Sequence, residues 1–267
     1  MKPDRLDAIR QHLYARGTSS IEALVQATGA SVATVRRDLA ALEQQGVVSR
    51  THGGARIASG AHVEVEFTTR ERHKLAQKRA IAGAAFELLR PQTVVFLDAG
   101  TTVLQLAHRL RVSPVPLSVF TNGLLVAKAL MGVPKLRVTM LGGQLRSENA
   151  SLVGPAAEAM LDGLWFDRLF LGASAIGDDH AIYSVDAAEA SLNARMMARS
   201  AAVTVLADAS KFGQRTTYMV SPLTAATAVI SDEALDAGHR RRLRQAGVAV
   251  TIATAARSET AEKASAP

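Results

Sequence analysis

The sequence predicts two folded units: a small three-helix head closed by a β-hairpin, then a larger α/β domain on a parallel sheet. Three observations carry that prediction. Three amphipathic helical segments crowd into the first 46 residues, each stopped by a glycine. A short β-like segment with a glycine-rich turn follows them. From residue 93 onward, near-continuous apolar runs alternate with helical ones, the pattern of a parallel sheet covered on both faces.

In the head, Asp4 to Arg16 sets Leu6, Ile9 and Leu13 on one face and ends at Gly17. Ser20 is placed to cap a second helix, with Ile21, Leu24 and Val25 inward and Gly29 as its stop. Ser31 caps a third helix, where Val32, Val35, Leu39 and Leu42 recur at helical spacing as an inward edge, and Gly46 ends it. Two helices joined by a tight glycine turn make a helix-turn-helix. Val47 to Arg50 then opens a strand pair whose tip is His52-Gly53-Gly54, a wing flanked by Arg50 and Arg56.

Opposite the inward edge of the third helix stand Ala33, Arg37, Ala40 and Gln44, with Thr34 beside them and Arg36 on the flank. Small residues with one long Arg suit a helix that enters a DNA major groove. Arg bonds two guanine acceptors at once, while Ala and Thr let the backbone come close. The candidate DNA contacts are therefore Ser31, Ala33, Thr34, Arg36, Arg37, Arg50 and His52. Arg37, Thr34 and Ala33 are expected at bases, and Arg36, Arg50 and Ser31 at phosphates. An isolated Arg-Arg pair on an ordinary bundle is a solvated face; the assembled helices, glycine stops and basic wing weigh against that reading here.

Composition bounds the rest. A length of 267 residues suits a head of about 60 residues plus one large core. The net charge of +7 fits a nucleic-acid partner. Placement matters more, since residues 1–60 hold eight basic against five acidic residues. Much of the excess lies at Arg70, Arg72, Lys74, Lys78 and Arg79, around the expected linker, and at Arg240 to Arg244, the expected solvated face of a late helix. With no cysteine, disulfides, thiol nucleophiles and thiolate metal sites are excluded. The seven histidines occur singly, so neither a metal nor another cofactor is expected. The N-terminus is charged and no apolar run nears the roughly 18 residues of a membrane span. A cytoplasmic chain with no membrane partner is the expectation.

The expected divisions are a head over 1–57, a linker over 58–74, the larger domain over 75–253 and a disordered tail over 254–267. Glu64 to Arg90 reads as mostly helical, most clearly from Leu75 to Leu89. Strands are expected at Thr93–Leu97, Leu117–Thr121, Arg137–Leu141, Arg168–Leu171, Ala202–Ala207, Ala228–Ile230 and Val248–Ile252. Helices are expected at Thr102–Leu110, Leu124–Leu130, Pro155–Leu161, Ala187–Ala198 and Asp232–Gln245.

Ligands of open α/β sheets gather at the carboxyl ends of strands. The first such end reads Asp98-Ala-Gly100-Thr101-Thr102 and runs into a helix, whose N-terminal N–H groups make a ready anion site. Thr121-Asn122-Gly123 ends the second strand and Gly142-Gly143 the third; Asp208-Ala-Ser-Lys211 ends a later one. Together they describe a pocket for a small phosphorylated or polyhydroxylated anion.

Ser31…Thr34-Val-Arg-Arg-Asp-Leu39…Leu42-Glu43…Gly46…Arg50-Thr-His-Gly-Gly-Ala55 resembles the winged helix of the DeoR family of bacterial transcription regulators. The resemblance continues through Asp98 to Thr102, Thr121 to Gly123, Gly142-Gly143, Phe166 to Ala173, Asp208 to Gly213 and the Lys78…Ile81-Ala82 helix, covering about residues 4 to 250. It implies a sensor domain akin to ribose-5-phosphate isomerase that binds a sugar phosphate or related intermediate and alters operator affinity. The implied protein is a repressor of a carbohydrate-related operon, a homo-oligomer on double-stranded operator DNA. The effector-site candidates are Asp98, Gly100, Thr101, Thr102, Thr121, Asn122, Gly142, Gly143, Glu189 and Lys211. Two departures stand out: Ala99 where the family pattern usually has Ser, and Leu192-Asn193-Ala194 where it often shows Val-Lys-Arg. By the same analogy Tyr183 to Met197 lines the sugar end, and Glu189 either bonds sugar hydroxyls or lies on a helix surface. The rival reading is a sugar-phosphate isomerase carrying a DNA-binding head, with Asp98, Glu189 and Lys211 as its chemistry. No enzyme is expected, because no second carboxylate cluster stands near the strand ends.

Overall fold

The structure, a computed structural model, describes residues 2–44, 47–51, 53–57 and 67–254. Gly46, the His52 candidate, residues 58–66 of the expected linker and the tail from 255 onward lie outside the described residues.

The head runs α1 (Lys2–Arg16), β1 (Thr18–Ser20), α2 (Ile21–Thr28), α3 (Val32–Gln44), β2 (Val48–Thr51) and β3 (Gly54–Ile57). Its caps follow the sequence. The Ser20 hydroxyl accepts from Ala23 N–H at 3.2 Å, Ser31 accepts from Thr34 N–H at 3.3 Å, and Gly29 closes α2 with φ +66°. Ile9, Leu13, Leu24, Val35, Leu39, Leu42, Val48 and Ala55 form the core. Val32 departs from expectation: it is 45% exposed, while Asp38 is buried. At about 100° per residue the buried arc centres between Val35 and Leu42, so Asp38 falls inside it and Val32 at its margin. Arg5 of α1 makes that burial tolerable, with Nε and Nη2 donating to the two Asp38 oxygens at 2.6 and 3.2 Å.

The sequence reading missed β1, a polar three-residue strand without alternation. It pairs antiparallel with β3, which pairs in turn with β2, giving the wing three strands in the order β1-β3-β2. This pairing explains Gly54: a Cβ there would lie 2.1 Å from the Ser19 carbonyl oxygen.

The larger domain begins with α4 (Phe67–Arg72) and α5 (Leu75–Phe86), then β4 (Thr93–Leu97), α6 (Thr101–Val112), β5 (Leu117–Thr121), α7 (Leu124–Leu130) and β6 (Leu136–Met140). A hairpin of β7 (Gln144–Arg146) and β8 (Ser151–Val153) leads to α8 (Pro155–Leu161) and β9 (Arg168–Gly172). Next come β10 (Ala175–Ile176), β11 (Ala181–Ser184), α9 (Ala187–Ala198), β12 (Val203–Leu206) and β13 (Tyr218–Pro222). The domain closes with β14 (Thr227–Asp232), α10 (Ala237–Gln245) and β15 (Ala249–Ala253).

The seven strands expected from the sequence form one parallel sheet in the order β15-β14-β12-β9-β4-β5-β6. Alternate side chains serve opposite cores, as the two-residue period requires. Phe96, Leu169 and Leu171 pack under α8 and α9, while Val95, Leu97 and Phe170 pack under α5 to α7. The last helix starts later than expected, because Asp232 completes β14 and Asp236 caps α10 through the N–H groups of Gly238 and His239. Phe67, inside the stretch expected as linker, is buried in the α5–α6 core, so the larger domain takes in residues from 67 onward. The β7–β8 hairpin and the small β10-β11-β13 sheet were not anticipated, their strands being two to five residues long.

Chain order places the site. After β4 the chain builds β5 and β6 to one side, then returns to lay β9 on the other. A crevice must open at the carboxyl ends of β4 and β9, where the direction of winding reverses.

Candidate functional site

On the head, Ser31, Ala33, Arg36 and Arg37 are exposed and Thr34 is half-buried, so α3 presents the face that the sequence assigns to DNA. The Ser31 and Thr34 hydroxyls lie 2.9 Å apart and fix its first turn. Arg50 is less free than expected. Its Nε pairs with Glu43 Oε2 at 2.9 Å, and its N–H donates to Glu43 Oε1 at 3.1 Å, tying β2 to α3. Arg56 stays exposed on β3.

At the crevice lies a cavity of about 560 Å³. It brings together six of the ten effector-site candidates: Asp98, Gly100, Thr101, Thr102, Glu189 and Lys211. Asp98 Oδ2 accepts from Gly100 N–H at 3.2 Å and Gly172 N–H at 3.0 Å, which cinches the ends of β4 and β9 together. A Cβ on Gly100 would stand 3.1 Å from the Gly172 Cα, so the two glycines permit that approach. Burial, joined by the Glu189 charge, raises the Asp98 carboxyl to about 6 against the backbone donors that hold it down. Glu189 is not a surface residue: it is 8% exposed and accepts from Asn149 Nδ2 at 2.8 Å and the Ser184 hydroxyl at 2.6 Å. Arg146 Nη1 lies 3.5 Å from it.

The other four candidates do not line the cavity. The Thr121 hydroxyl accepts from Gly123 N–H at 2.9 Å, and the Asn122 carbonyl accepts from Leu152 N–H at 2.8 Å. Gly143 has φ +135°, and a Cβ there would lie 2.6 Å from the Val153 carbonyl oxygen; Gly142 N–H points at the Met160 sulfur. Asn122 and Gly143 thus seat the β7–β8 hairpin beside the ends of β5 and β6, while Thr121 braces its own turn and Gly142 faces α8. The hairpin in turn carries Arg146 and Asn149 to Glu189. Ala99 also lies outside the cavity, packed against Gly123, so the first departure from the family pattern removes nothing from the wall.

Sequence reasoning missed a cationic wall. Arg70, His73 and Lys78 line the cavity beside Lys211, whereas the sequence places Arg70 among the charges around a linker and Lys78 on a helix, with no site role for either. Lys78 is 3% exposed, and its Nζ donates to the carbonyls of Arg70 and, at 2.8 Å, His73. Burial pulls it down to about 8, with Asp208 opposing and Lys211 and Arg70 adding to the fall. Burial also lowers His73. At Asp208 burial acts to raise the carboxyl, but Lys211, the Ser210 hydroxyl and Lys74 outweigh it and leave it below the usual range. Lys74 Nζ stands 3.2 Å from Asp208 Oδ1. Arg70 Nη2 reaches Asn149 Oδ1 at 2.8 Å and so joins the cationic wall to the Glu189 side. Part of the wall comes from the head, through Leu13, Ala15, Arg16, Gly17 and Ile57.

Residues 5–61 match the DeoR-like helix-turn-helix domain, and residues 73–233 match the DeoR C terminal sensor domain. The chain belongs to the DeoR family. It is 36% identical over 231 residues to the HTH-type transcriptional regulator GlpR of Haloferax volcanii, covering 86% of this chain and 90% of that one. It is 32% identical over 248 residues to the HTH-type transcriptional repressor CsqR of Escherichia coli K12, covering 93% and 94%. With the lactose phosphotransferase system repressor of Staphylococcus epidermidis it shares 33% identity over 235 residues, covering 86% and 92%. Among solved structures, ribose 5-phosphate isomerase A from Methanocaldococcus jannaschii overlays 51% of this chain and 53% of that one, with a TM-score of 0.37 and 16% identity. This DeoR-family chain is thus a DNA-binding transcriptional regulator with a helix-turn-helix head and a C-terminal sensor domain. Among the described residues no helix is long and apolar enough to cross a membrane.

Proposed function

We propose that the protein represses a carbohydrate-related operon and that a phosphorylated, polyhydroxylated metabolite in the cavity sets its operator affinity. One observation carries this reading. A single cavity combines the Gly100-Thr101-Thr102 helix start and a cationic wall with buried hydroxyl-bonding partners, and the head supplies part of its lining. The phosphate would rest on the α6 N-terminus with Lys211 and Lys78, and sugar hydroxyls would meet Glu189, Asn149 and Ser184. Arg37, Thr34 and Ala33 read bases while Arg36 anchors a phosphate. A homo-oligomer, at least a dimer, presents paired heads to operator half-sites.

Of the three carboxylates that line the cavity, Asp208 is held by Lys74 and Ser210, and the other two likewise favour a regulator over an isomerase. A base for enediol chemistry must reach a sugar C2 proton. Asp98 is committed to two backbone N–H groups, and both Glu189 oxygens are already engaged. The relatives named repressors agree with that choice.

Fluorescence anisotropy on DNA upstream of its own gene, titrated with a panel of sugar phosphates, tests the proposal. The expected result is tight, salt-sensitive binding that one phosphorylated compound releases or strengthens. Lys211→Ala should keep DNA binding and lose that response. Binding that no compound alters, or turnover of a sugar phosphate, would overturn the effector reading.

A further inference from the structure

The second departure from the family pattern falls inside the cavity. Asn193 lies one turn beyond Glu189 on α9, so both side chains share a face, and both line the cavity. Asn193 is 4% exposed, yet among the described residues its Oδ1 has no hydrogen-bond partner. A buried amide left unpaired costs free energy that a bound donor would recover. Resting on the reading above, this orphaned amide points to a hydrogen-bond donor on the ligand.

The charges around Asn193 specify that group further. On its side of the cavity stand Glu189 and Asp98, close enough that the Glu189 charge bears on Asp98. Arg146 backs this side from outside the cavity lining, its Nε and Nη1 lying 3.4 and 3.5 Å from Asp186 and Glu189. Of the other cations that line the cavity, Lys78 and Lys211 collect around Asp208 and the α4–α5 turn, Arg16 comes from the head, and Arg70 is held by Asn149. An anionic group beside Asn193 would face carboxylates across a neutral amide. A hydroxyl or amide there would find an acceptor.

We infer that the effector is charged at one end only, a phosphate monoester of an uncharged sugar or polyol, and that Asn193 selects it against ligands bearing a second anionic group. Asn193 is a specificity-determining residue, and its carboxamide exchanges hydrogen bonds with the uncharged end.

Isothermal titration calorimetry on the full chain tests this with matched probes. These are fructose 6-phosphate against fructose 1,6-bisphosphate, glucose 6-phosphate against 6-phosphogluconate, and inorganic phosphate as reference. At least one monoester should bind about tenfold or more tightly than its doubly charged partner. Asn193→Lys should shrink or invert that ratio by placing a cation beside Glu189. Asn193→Leu, which removes the orphaned amide, should fold with unchanged or higher Tm and bind the monoester about tenfold more weakly, the loss of roughly one hydrogen bond. Equal or tighter binding of the doubly charged compounds by the unaltered protein overturns the inference while leaving the phosphate reading intact. So does full monoester affinity in a folded Asn193→Leu variant, which needs no Lys variant to interpret. Failure of every compound, inorganic phosphate included, overturns the phosphate reading and this inference with it.

Discussion

At the scale of single residues, charges already committed to partners separate from those held in reserve. Arg37 stands exposed opposite the buried arc of α3. Arg37→Ala should weaken operator binding by about 1–3 kcal/mol and blur preference at one base pair, read by anisotropy on singly substituted operators. Arg50 is shared with Glu43 in a half-exposed pair of the kind worth about 1 kcal/mol or less, so DNA can capture it at small cost. Arg50→Ala should weaken all sequences alike and flatten the salt slope by about one unit, whereas Glu43→Gln should strengthen all of them. Asp98 gives a prediction in pH. Its folded carboxyl titrates near 6, above the ordinary 3.8, so between those values the folded state binds more protons than the unfolded one. Its contribution to stability therefore falls as pH rises from about 4 to about 6 and is flat above. Thermal melts should show the Tm of the unaltered protein dropping across that window relative to Asp98→Asn, and a constant difference would sink the assignment.

At the scale of elements, the wing rests on one missing methyl group. Gly54→Ala must drive β3 away from β1, since no flexible side chain is available to yield at Ser19. The expected result is loss of operator binding, with the calorimetric response to effector unchanged because the sheet of the larger domain is untouched. The same contrast explains what the sequence could tell. All seven strands of the large sheet were legible: central strands such as β4 and β12 are buried and almost wholly apolar, and the partly exposed edge strands β6 and β15 still carry short β-branched and apolar runs between turn signals. The caps at Ser20 and Ser31 were legible for an equally local reason. Strands β1, β7 and β10 were not, since two or three residues carry no period. The cavity was half legible. Asp98 to Thr102 announces itself through glycine, hydroxyls and a helix start, but Thr121, Asn122 and the Gly142-Gly143 pair carry the same signature and serve local turns, the β7–β8 hairpin and α8 instead. Only the order of strands decides which ends face the crevice, and a sequence does not print that order. The cationic wall was missed because Arg70, His73 and Lys78 acquire their meaning from α4 folding back against α6, a tertiary event.

At the scale of the whole molecule, the route from effector to operator must cross from the larger domain to the head, and the cavity wall does so directly. Arg16 closes α1, the helix whose Arg5 also holds Asp38 of α3, and it lines the cavity together with Leu13, Gly17 and Ile57. On the far side, Lys78 grips the carbonyls of Arg70 and His73, pinning the turn through which the chain enters the larger domain. Under the proposed function, an anion drawn between these groups would contact both units at once, and its preference for one arrangement of them would supply the free energy that changes DNA affinity. Arg16→Ala should therefore leave operator binding intact without effector, but draw the ratio of operator Kd with and without effector toward one. Linkage sets a second requirement: operator DNA must change effector affinity by the same factor, large in the unaltered protein and reduced in the variant. Measuring both arms, by anisotropy for DNA and calorimetry for effector, separates Arg16→Ala from Lys211→Ala, which should lose effector binding itself. Full coupling in Arg16→Ala would remove the shared wall as the route and move it to the α4–α5 turn held by Lys78.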